Sequence, residues 1–110
     1  SQKLINFRLQ VNYVIKSFRN LGTKDIFNRA NSKEARRTCP EQIWRVARRK
    51  LDQLNAVVTL RSLAIPPGNE LEPLKSNRVG QYSIRINDQF RVCFIWTNEG
   101  PEDVEITDYH

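Results

Sequence analysis

The sequence predicts an α+β domain in which an antiparallel sheet of about four strands carries two N-terminal helices packed on one face. In the first half of the chain, apolar residues recur every three or four positions, which is the spacing of a helix with one buried side. After residue 80 they alternate with polar residues, which is typical of half-buried strands. Because the helices precede the strands, we expect two layers, with the second face of the sheet open and concave.

The length of the chain suits one domain. It has 110 residues, of which 27% are charged and 39% hydrophobic, as in ordinary globular chains. A domain of this size buries roughly 65% of its unfolded surface, so its functional site should be an open surface or a shallow groove. No apolar run reaches the ~18 residues of a membrane span and no signal peptide is visible, so we expect a cytoplasmic protein that makes no membrane contact.

The beginning of the chain is interpreted as an addition to the domain. Residues 1–13 are assigned to an N-terminal extension that is non-native or flexible, and residues 14–110 to the domain. Residues 14–18 alternate between apolar and polar side chains, so they predict a short first strand.

A short helix is expected after this strand. Thr23 is a candidate cap, and the next apolar residues have helical spacing. These residues are Ile26, Phe27 and Ala30. Residues 31–38 are polar and basic, and they predict a loop.

The clearest helix follows this loop. Thr38 and Glu41 have the spacing of a capping box, although Cys39 is a competing cap because Pro40 would then occupy its favoured first helical position. One apolar stripe runs along the segment, and Asn55 marks its expected end. The stripe consists of Ile43, Val46, Ala47, Leu51, Leu54 and Val58.

The second half of the chain predicts the sheet. A turn of helix is expected at residues 59–63, before a break rich in proline and glycine. Residues 82–86 and 90–96 alternate and are separated by a tight hairpin turn, and residues 104–107 predict a last strand. Residues 71–74 are a candidate for one more short strand.

The two cysteines indicate no disulfide and no metal site. Cys39 and Cys93 belong to no CxxC or Cys/His cluster, so we expect two reduced thiols. With only one histidine in the chain, a zinc site is not expected either. We therefore predict that the protein uses no metal and no cofactor.

Charge is distributed unevenly along the sequence. Residues 14–56 contain eleven Lys and Arg against four Asp and Glu, whereas residues 57–110 contain five against eight. A basic half in a chain of pI near 9.7 suggests a polyanionic partner. The alternative is that the excess charge only solvates a helix face.

Four basic residues after Arg61 gather around the predicted hairpin. They are Lys75, Arg78, Arg85 and Arg91. Arg85 and Arg91 alternate out of phase with the apolar residues and should point to the open face, where cations suit a phosphate backbone. The alternative is that all four are ordinary exposed side chains.

The end of the chain carries groups that could cleave RNA. The reaction needs a base for the 2′-hydroxyl proton, an acid for the leaving 5′-oxygen and cations for the phosphate. His110, Tyr109 and Asp108, with Lys75 and Arg91, could supply every part. The alternative is that a terminal histidine is frayed and idle.

Several blocks resemble the HigB toxins of the RelE/ParE superfamily. Residues 71–75 (LEPLK), Arg78, the segment 80–94 and the closing residues 104–110 (VEITDYH) are similar to the C-terminal half of that family. Residues 15–18 and 46–51 also match, so the resemblance covers about residues 14–110.

The resemblance implies a type II toxin whose compact fold is that of RelE and ParE. The implied activity is ribosome-dependent cleavage of mRNA in the A site by an mRNA interferase, which inhibits translation. The implied partners are the ribosome, mRNA and a cognate HigA-like antitoxin with a helix-turn-helix domain. Operator DNA would be contacted only through that antitoxin.

The resemblance also implies a role for each matching position. His110 would transfer protons, Tyr109 would stack on or orient a base, and Asp108 would position that pair. Lys75, Arg78 and Arg91 would hold the scissile phosphate; Arg85, placed on the open face by alternation, is a further candidate RNA contact. Arg45, Arg48 and Arg49 would touch ribosomal RNA through its phosphates.

Two departures bear on these roles. Some HigB members have a histidine where this chain has Glu72, which could act as the general base or could merely repel RNA. Strict alternation also places Asp108 and His110 on the core side of the last strand. The strand must therefore end or twist near Thr107 if they are to face the RNA.

Two other functions compete with the nuclease. A ParE-like toxin would inhibit DNA gyrase without catalysis, but ParE relatives lack the terminal Asp-Tyr-His, so the tail favours the nuclease. A nonenzymatic RNA- or DNA-binding module would tolerate changes at His110 and Tyr109.

Overall fold

The computed structural model describes residues 12–109, which form three helices followed by a four-stranded antiparallel sheet. The helices are α1 (Leu21–Phe27), α2 (Lys33–Thr38) and α3 (Trp44–Leu54). The strands are β1 (Glu72–Pro73), β2 (Gln81–Arg85), β3 (Phe90–Thr97) and β4 (Gly100–Asp108). The predicted α+β class is confirmed, and the short strand expected at residues 71–74 is β1. Within this part of the chain no helix is both long and apolar enough to cross a membrane.

The strands lie in the order β1-β2-β3-β4, and each pairs with its chain neighbour. Ile84 lies opposite Val92, which lies opposite Ile106, and all three are buried in the core. Between Cys93 and Ile95 the register shifts, because β4 carries one extra residue there. This bulge adds twist to the long β3–β4 hairpin.

The segment 14–18 is not a regular strand, so that prediction is wrong. Tyr13, just before the segment, and Phe18, its last residue, make only isolated bridges, to Val57 and to Val104. Ile15 and Phe18 are the half-buried residues, and their separation of three positions cannot place them on one face of a strand of period two. Val14, which an alternating strand would bury, is exposed.

Helix α1 begins three residues earlier than a Thr23 cap predicts. The side chain of Asn20 is the cap and accepts the Thr23 amide at 2.8 Å. Thr23 instead lies inside the helix, fully buried, where its Oγ1 accepts the Ile106 amide from β4 at 3.0 Å. This hydrogen bond joins the helical layer to the sheet. Ala30 lies beyond the helix and is exposed.

Helix α2 occupies most of the segment for which the sequence predicts a loop, so this prediction is wrong. Ser32 caps the helix by accepting the Ala35 amide at 3.0 Å, and Ala35 is its one buried residue. One buried alanine creates no apolar stripe, so periodicity does not reveal the helix. The residue that α1 presents to α2 is Gly22, where an added Cβ would lie 2.6 Å from the Glu34 carbonyl oxygen.

Helix α3 provides the central apolar stripe of the core, but its predicted capping box is absent. The Thr38 hydroxyl donates back to the Glu34 carbonyl oxygen, and Cys39 is extended. The chain enters α3 through a 3₁₀ turn at Glu41–Ile43 that has no side-chain cap. Asn55 ends the helix as predicted, so Val58 falls outside the stripe and is exposed. The turn of helix expected at residues 59–63 is the 3₁₀ turn Leu60–Ala64.

Candidate active site

The sheet face opposite the helices carries the arginines that the sequence singles out. We call it the open face. Arg85 and Arg91 lie directly opposite each other across β2 and β3, and both alternate with core residues, as expected. The side chains on this face are those of Gln81, Ser83, Arg85, Arg91, Cys93, Glu105 and Thr107. Ser83, Cys93 and Glu105 are buried, whereas the other side chains of this face are partly exposed and within reach of a ligand.

Arg91 is the most firmly held cation on the open face. Its Nε donates to Ser83 Oγ at 2.7 Å, and one Nη donates to the Glu70 carbonyl oxygen at 2.6 Å. The same Nη lies 3.2 Å from a Glu72 carboxylate oxygen. Only 13% of its side chain is exposed. The guanidinium is therefore preorganised by three partners from β2 and from the chain on either side of Leu71.

Arg78 is held by a carboxylate that the sequence analysis missed. Glu105 on β4 accepts from Arg78 at 2.9 Å, and its second oxygen lies 3.8 Å from Arg19 Nε. The Glu105 side chain is only 11% exposed. The alternation of Glu105 with core residues Val104 and Ile106 would have placed it on the open face.

Arg85 and Lys75 have different partners from Arg91 and Arg78. Arg85 forms ion pairs with Glu70, at 3.2 Å, and with Asp88 in the hairpin turn. Lys75 lies two residues after β1 with an exposed side chain, and within residues 12–109 it has no ion pair or side-chain hydrogen bond. Its ammonium group is therefore available to a ligand.

Buried hydrogen bonds connect helix α3 to strand β2 through Asn69. Lys50 of α3 donates to the side chain of Asn69, and both residues are buried. The Asn69 carbonyl oxygen accepts the Arg85 amide at 2.7 Å. Burial, followed by repulsion from Arg49 and Arg85, lowers the pKa of Lys50. The segment that carries Glu70 is thus fixed between the helix layer and β2.

The end of β4 comes next to Arg78. The Tyr109 ring lies with its centroid 5.8 Å from the Arg78 guanidinium carbon, and Asp108 accepts from the Gln89 side chain at 2.8 Å. The strand ends at Asp108, which still pairs with core residue Phe90, so the end or twist that the sequence required near Thr107 comes only after Asp108. His110 lies outside the described residues. The structure therefore brings together Tyr109, Arg78 and Glu105.

The three arginines of α3 lie on the helical side of the sheet. Arg45 and Arg49 are exposed. Arg48 donates through Nε to the Ile26 carbonyl oxygen at 3.0 Å and lies over the Trp44 ring. The structure does not bring this group together with the open face, and Arg48 helps to join α1 to α3.

The cysteine on the open face is not a nucleophile. Cys93 and Cys39 are free and buried, as predicted. Burial raises the pKa of each thiol to about 11. For Cys93 this effect outweighs the opposing influence of Arg78 and Arg91. A thiol with such a pKa stays protonated near neutral pH, so the chemistry of this face belongs to its arginines and carboxylates.

A family model described as the RelE-like toxin of the type II toxin–antitoxin system HigB matches residues 16–110. Toxin HigB-1 of Vibrio cholerae serotype O1 is 42% identical over 62 residues, which are 56% of this chain and 65% of that toxin. An uncharacterized Haemophilus influenzae protein is 37% identical over 59 residues, which are 54% of this chain and 58% of that protein. These alignments span less than two thirds of the relatives' own lengths.

Solved structures show the same fold. A chain of the YoeB–YefM complex from Staphylococcus aureus superposes with a TM-score of 0.53 and 18% sequence identity. The superposition covers 87% of this chain and 97% of that one. A heterotetrameric YoeB–YefM toxin–antitoxin complex from the same organism gives the same values.

Proposed function

This chain belongs to the HigB family of RelE-like toxins of type II toxin–antitoxin systems, and we propose that it is an endoribonuclease that cleaves mRNA in the ribosomal A site. One observation carries the proposal. The end of β4 runs alongside Arg78, so that the Tyr109 ring lies against this guanidinium. Tyr109, the residue before the terminal histidine, therefore lies beside one of the cations that we assign to the phosphate, which supports the proposal.

The proposed reaction is an internal transfer within the RNA. The 2′-oxygen forms a bond to the adjacent phosphorus while the bond from phosphorus to the 5′-oxygen breaks, leaving a cyclic phosphate and a 5′-hydroxyl. A base removes the 2′-hydroxyl proton, and an acid protonates the leaving oxygen. Cations stabilise the charge of the pentacovalent phosphate, and the protein's own side chains supply all of these groups.

We propose one role for each of these side chains. We assign the scissile phosphate to Arg91, Arg78 and Lys75, with Arg85 as an outer RNA contact. Tyr109 stacks on or orients a base, Asp108 positions the terminal pair, and His110 transfers protons. These last three assignments rest on the family resemblance.

Glu72 has two competing roles in this mechanism. Its carboxylate lies 3.2 Å from Arg91, which supports a role in orienting that cation. The alternative is that it acts as the general base at a position where other family members have histidine. A base at this position predicts that Glu72→Gln abolishes cleavage, whereas an orienting role predicts that Gln leaves part of it.

The proposed partners are those of a toxin in translation. A HigA-like antitoxin with a helix-turn-helix domain would neutralise the protein and carry it to operator DNA. The solved YoeB–YefM complexes of the same fold support a partner of the antitoxin class. The ribosome would be met in the cytoplasm, where the exposed Arg45 and Arg49, with Arg48, contact ribosomal RNA phosphates.

The decisive experiment compares the parent with His110→Gln after induction in bacterial cells. Mapping the 5′ ends of a model transcript should show new, translation-dependent ends for the parent only. Glu99→Gln, at an exposed turn residue, is the matched control and should cleave like the parent. Intact mRNA accompanied by gyrase-linked DNA breaks would instead establish ParE-like inhibition.

A further inference from the structure

A groove of about 540 Å³ runs between the chain that precedes α1 and the first turns of that helix. It is lined by Lys16, Ser17, Phe18, Arg19, Asn20, Leu21 and Lys24. Three of these residues are cationic and none is acidic. We call this surface the basic groove, and its lining suits an anionic ligand with some apolar surface.

The walls of the basic groove are fixed in place. The Lys16 amide donates to the Pro101 carbonyl oxygen at 2.8 Å, and the Arg19 amide donates to that of Val104 at 2.9 Å. The Ser17 carbonyl oxygen accepts the Val104 amide at 3.1 Å. Because the backbone is already anchored to β4, little ordering is needed when a ligand binds.

The basic groove is continuous with the open face. Arg19 lines the groove, and its Nε lies 3.8 Å from the same Glu105 carboxylate that binds Arg78. One carboxylate between two guanidinium groups leaves positive charge in excess at this junction. A chain of phosphates crossing the open face at Arg78 would therefore meet further cations beyond Glu105.

The groove adds unpaired cations to Lys75, the one cation assigned to the phosphate that forms no ion pair within residues 12–109. On the open face, Arg78, Arg85 and Arg91 each already form an ion pair with a carboxylate. Lys16 and Lys24 are exposed, and neither forms an ion pair within the part of the chain that the structure describes. A phosphate can bind these ammonium groups without displacing a carboxylate first.

We propose that the basic groove binds the phosphodiester backbone of the RNA strand beyond the cleaved phosphate. This inference rests on the proposed nuclease function and extends it to a second subsite. The junction at Arg19 and Glu105 favours one continuous strand over a separate acidic protein. Lysines act as compact point charges, so binding here would be independent of base sequence.

The test measures how salt changes the affinity for a short single-stranded 2′-deoxy oligonucleotide, which binds but lacks the attacking hydroxyl. For single strands, the slope of log affinity against log salt changes by about 0.7 for each phosphate that the protein neutralises. Lys16→Gln/Lys24→Gln should therefore flatten the slope by about 0.7 for each phosphate that these lysines neutralise in the parent. Lys33→Gln/Arg37→Gln, which removes two exposed cations from α2, is the matched control and should keep the parental slope.

Two results would overturn the inference. The first is a parental slope in the groove variant; if that variant also binds poly-glutamate more weakly, the groove is assigned to an acidic protein. The second is equal flattening in the control, which would indicate only net charge. Cleavage of translated mRNA by the parent is scored separately, so failure of the nuclease proposal is distinguishable from failure of the groove.

Discussion

Single residues on the open face show that its arginines are positioned by neighbouring acceptors before any ligand arrives. Arg91 meets a hydroxyl, a carbonyl oxygen and a carboxylate, and Arg78 meets Glu105 and the Gln81 side chain. Such fixed donors suit a phosphate whose charge grows during the reaction, because the protein does not have to reorganise at that moment. The carboxylates thus belong to the proposed site, even though their charge would repel RNA.

Glu105→Gln tests this view of Arg78. The substitution keeps the shape of the side chain but removes the charge that lies between Arg78 and Arg19. We expect the free energy of unfolding to fall by about 1.5–3 kcal/mol, as is typical for a hydrogen bond to a charged group. Urea denaturation measures this change, with Glu99→Gln as the control that should not change stability.

The same variant distinguishes a positioning role from a purely structural one. If Glu105 positions Arg78 for the phosphate, Glu105→Gln should cleave saturating RNA more slowly than the parent. The rates are compared without denaturant, where the variant is folded. A variant that is less stable but cleaves at the parental rate would show that Glu105 serves stability alone.

Alternation predicts part of this site, and long-range contacts explain the remainder. It places Arg85 and Arg91 on the open face, and Glu105 follows from the same rule. The partnership of Lys50 with Asn69 cannot be found in this way. The two residues are 19 positions apart, in a helix and a loop, and no local pattern links them.

At the scale of elements, the loop between α3 and β1 behaves as a strap that the helix holds against the sheet. Asn69 accepts from Lys50, and it donates to the Gln53 side chain at 3.1 Å and to the Leu63 carbonyl oxygen at 2.8 Å. Its own backbone carbonyl binds β2. The strap carries Glu70, whose carbonyl oxygen accepts from Arg91, so α3 indirectly fixes a cation on the opposite face of the sheet.

Asn69→Ala should be strongly destabilising because it leaves the buried Lys50 ammonium without its acceptor. We expect a loss of about 3 kcal/mol in the free energy of unfolding. Adding Lys50→Met removes the buried charge and should recover a large part of that loss. Urea denaturation of the parent, both single variants and the double variant measures the coupling. If the two losses in the free energy of unfolding simply add in the double variant, Lys50 does not hold the loop through Asn69.

The elements also show what local patterns miss. The core stripe of α3 and the helix end at Asn55 follow from periodicity and cap chemistry. Helix α2 does not, because its contact with α1 depends on the small size of Gly22 and Ala35 rather than on a row of large apolar residues. The segment before α1 likewise takes its shape from hydrogen bonds to β4, a strand more than 80 residues later in the chain.

At the scale of the whole molecule, the helical layer and the open face of the sheet differ in their charged side chains. Residues 14–56, which contain the helices, carry eleven of the 18 Lys and Arg, whereas the open face combines arginines with carboxylates. Sequence composition predicts the first feature and cannot predict the second, since ion pairing depends on which side chains the fold places together. The basic groove lies where these layers meet, which is consistent with a path for RNA from one to the other.

The two buried thiols couple the stability of the whole molecule to alkaline pH. Their pKa is about 11 in the folded chain, against an ordinary value of 9.0. Below pH 9.0 both states keep the protons, so this contribution to stability is fully present. As the pH rises towards 11, the unfolded chain releases them first, and the contribution is lost. Each pH unit is worth about 1.4 kcal/mol per thiol at most.

Cys39→Ala/Cys93→Ala isolates this effect. Lys50 titrates in the opposite sense, because its lowered pKa makes stability rise with pH, but it is present in both proteins. We therefore expect the free energy of unfolding, measured in urea between pH 9 and 11, to fall more steeply for the parent than for the double variant. The comparison uses the slopes, because the alanines also create cavities that lower stability at every pH. Parallel curves would mean that the thiols ionise equally easily in the folded and unfolded chains, contrary to their burial.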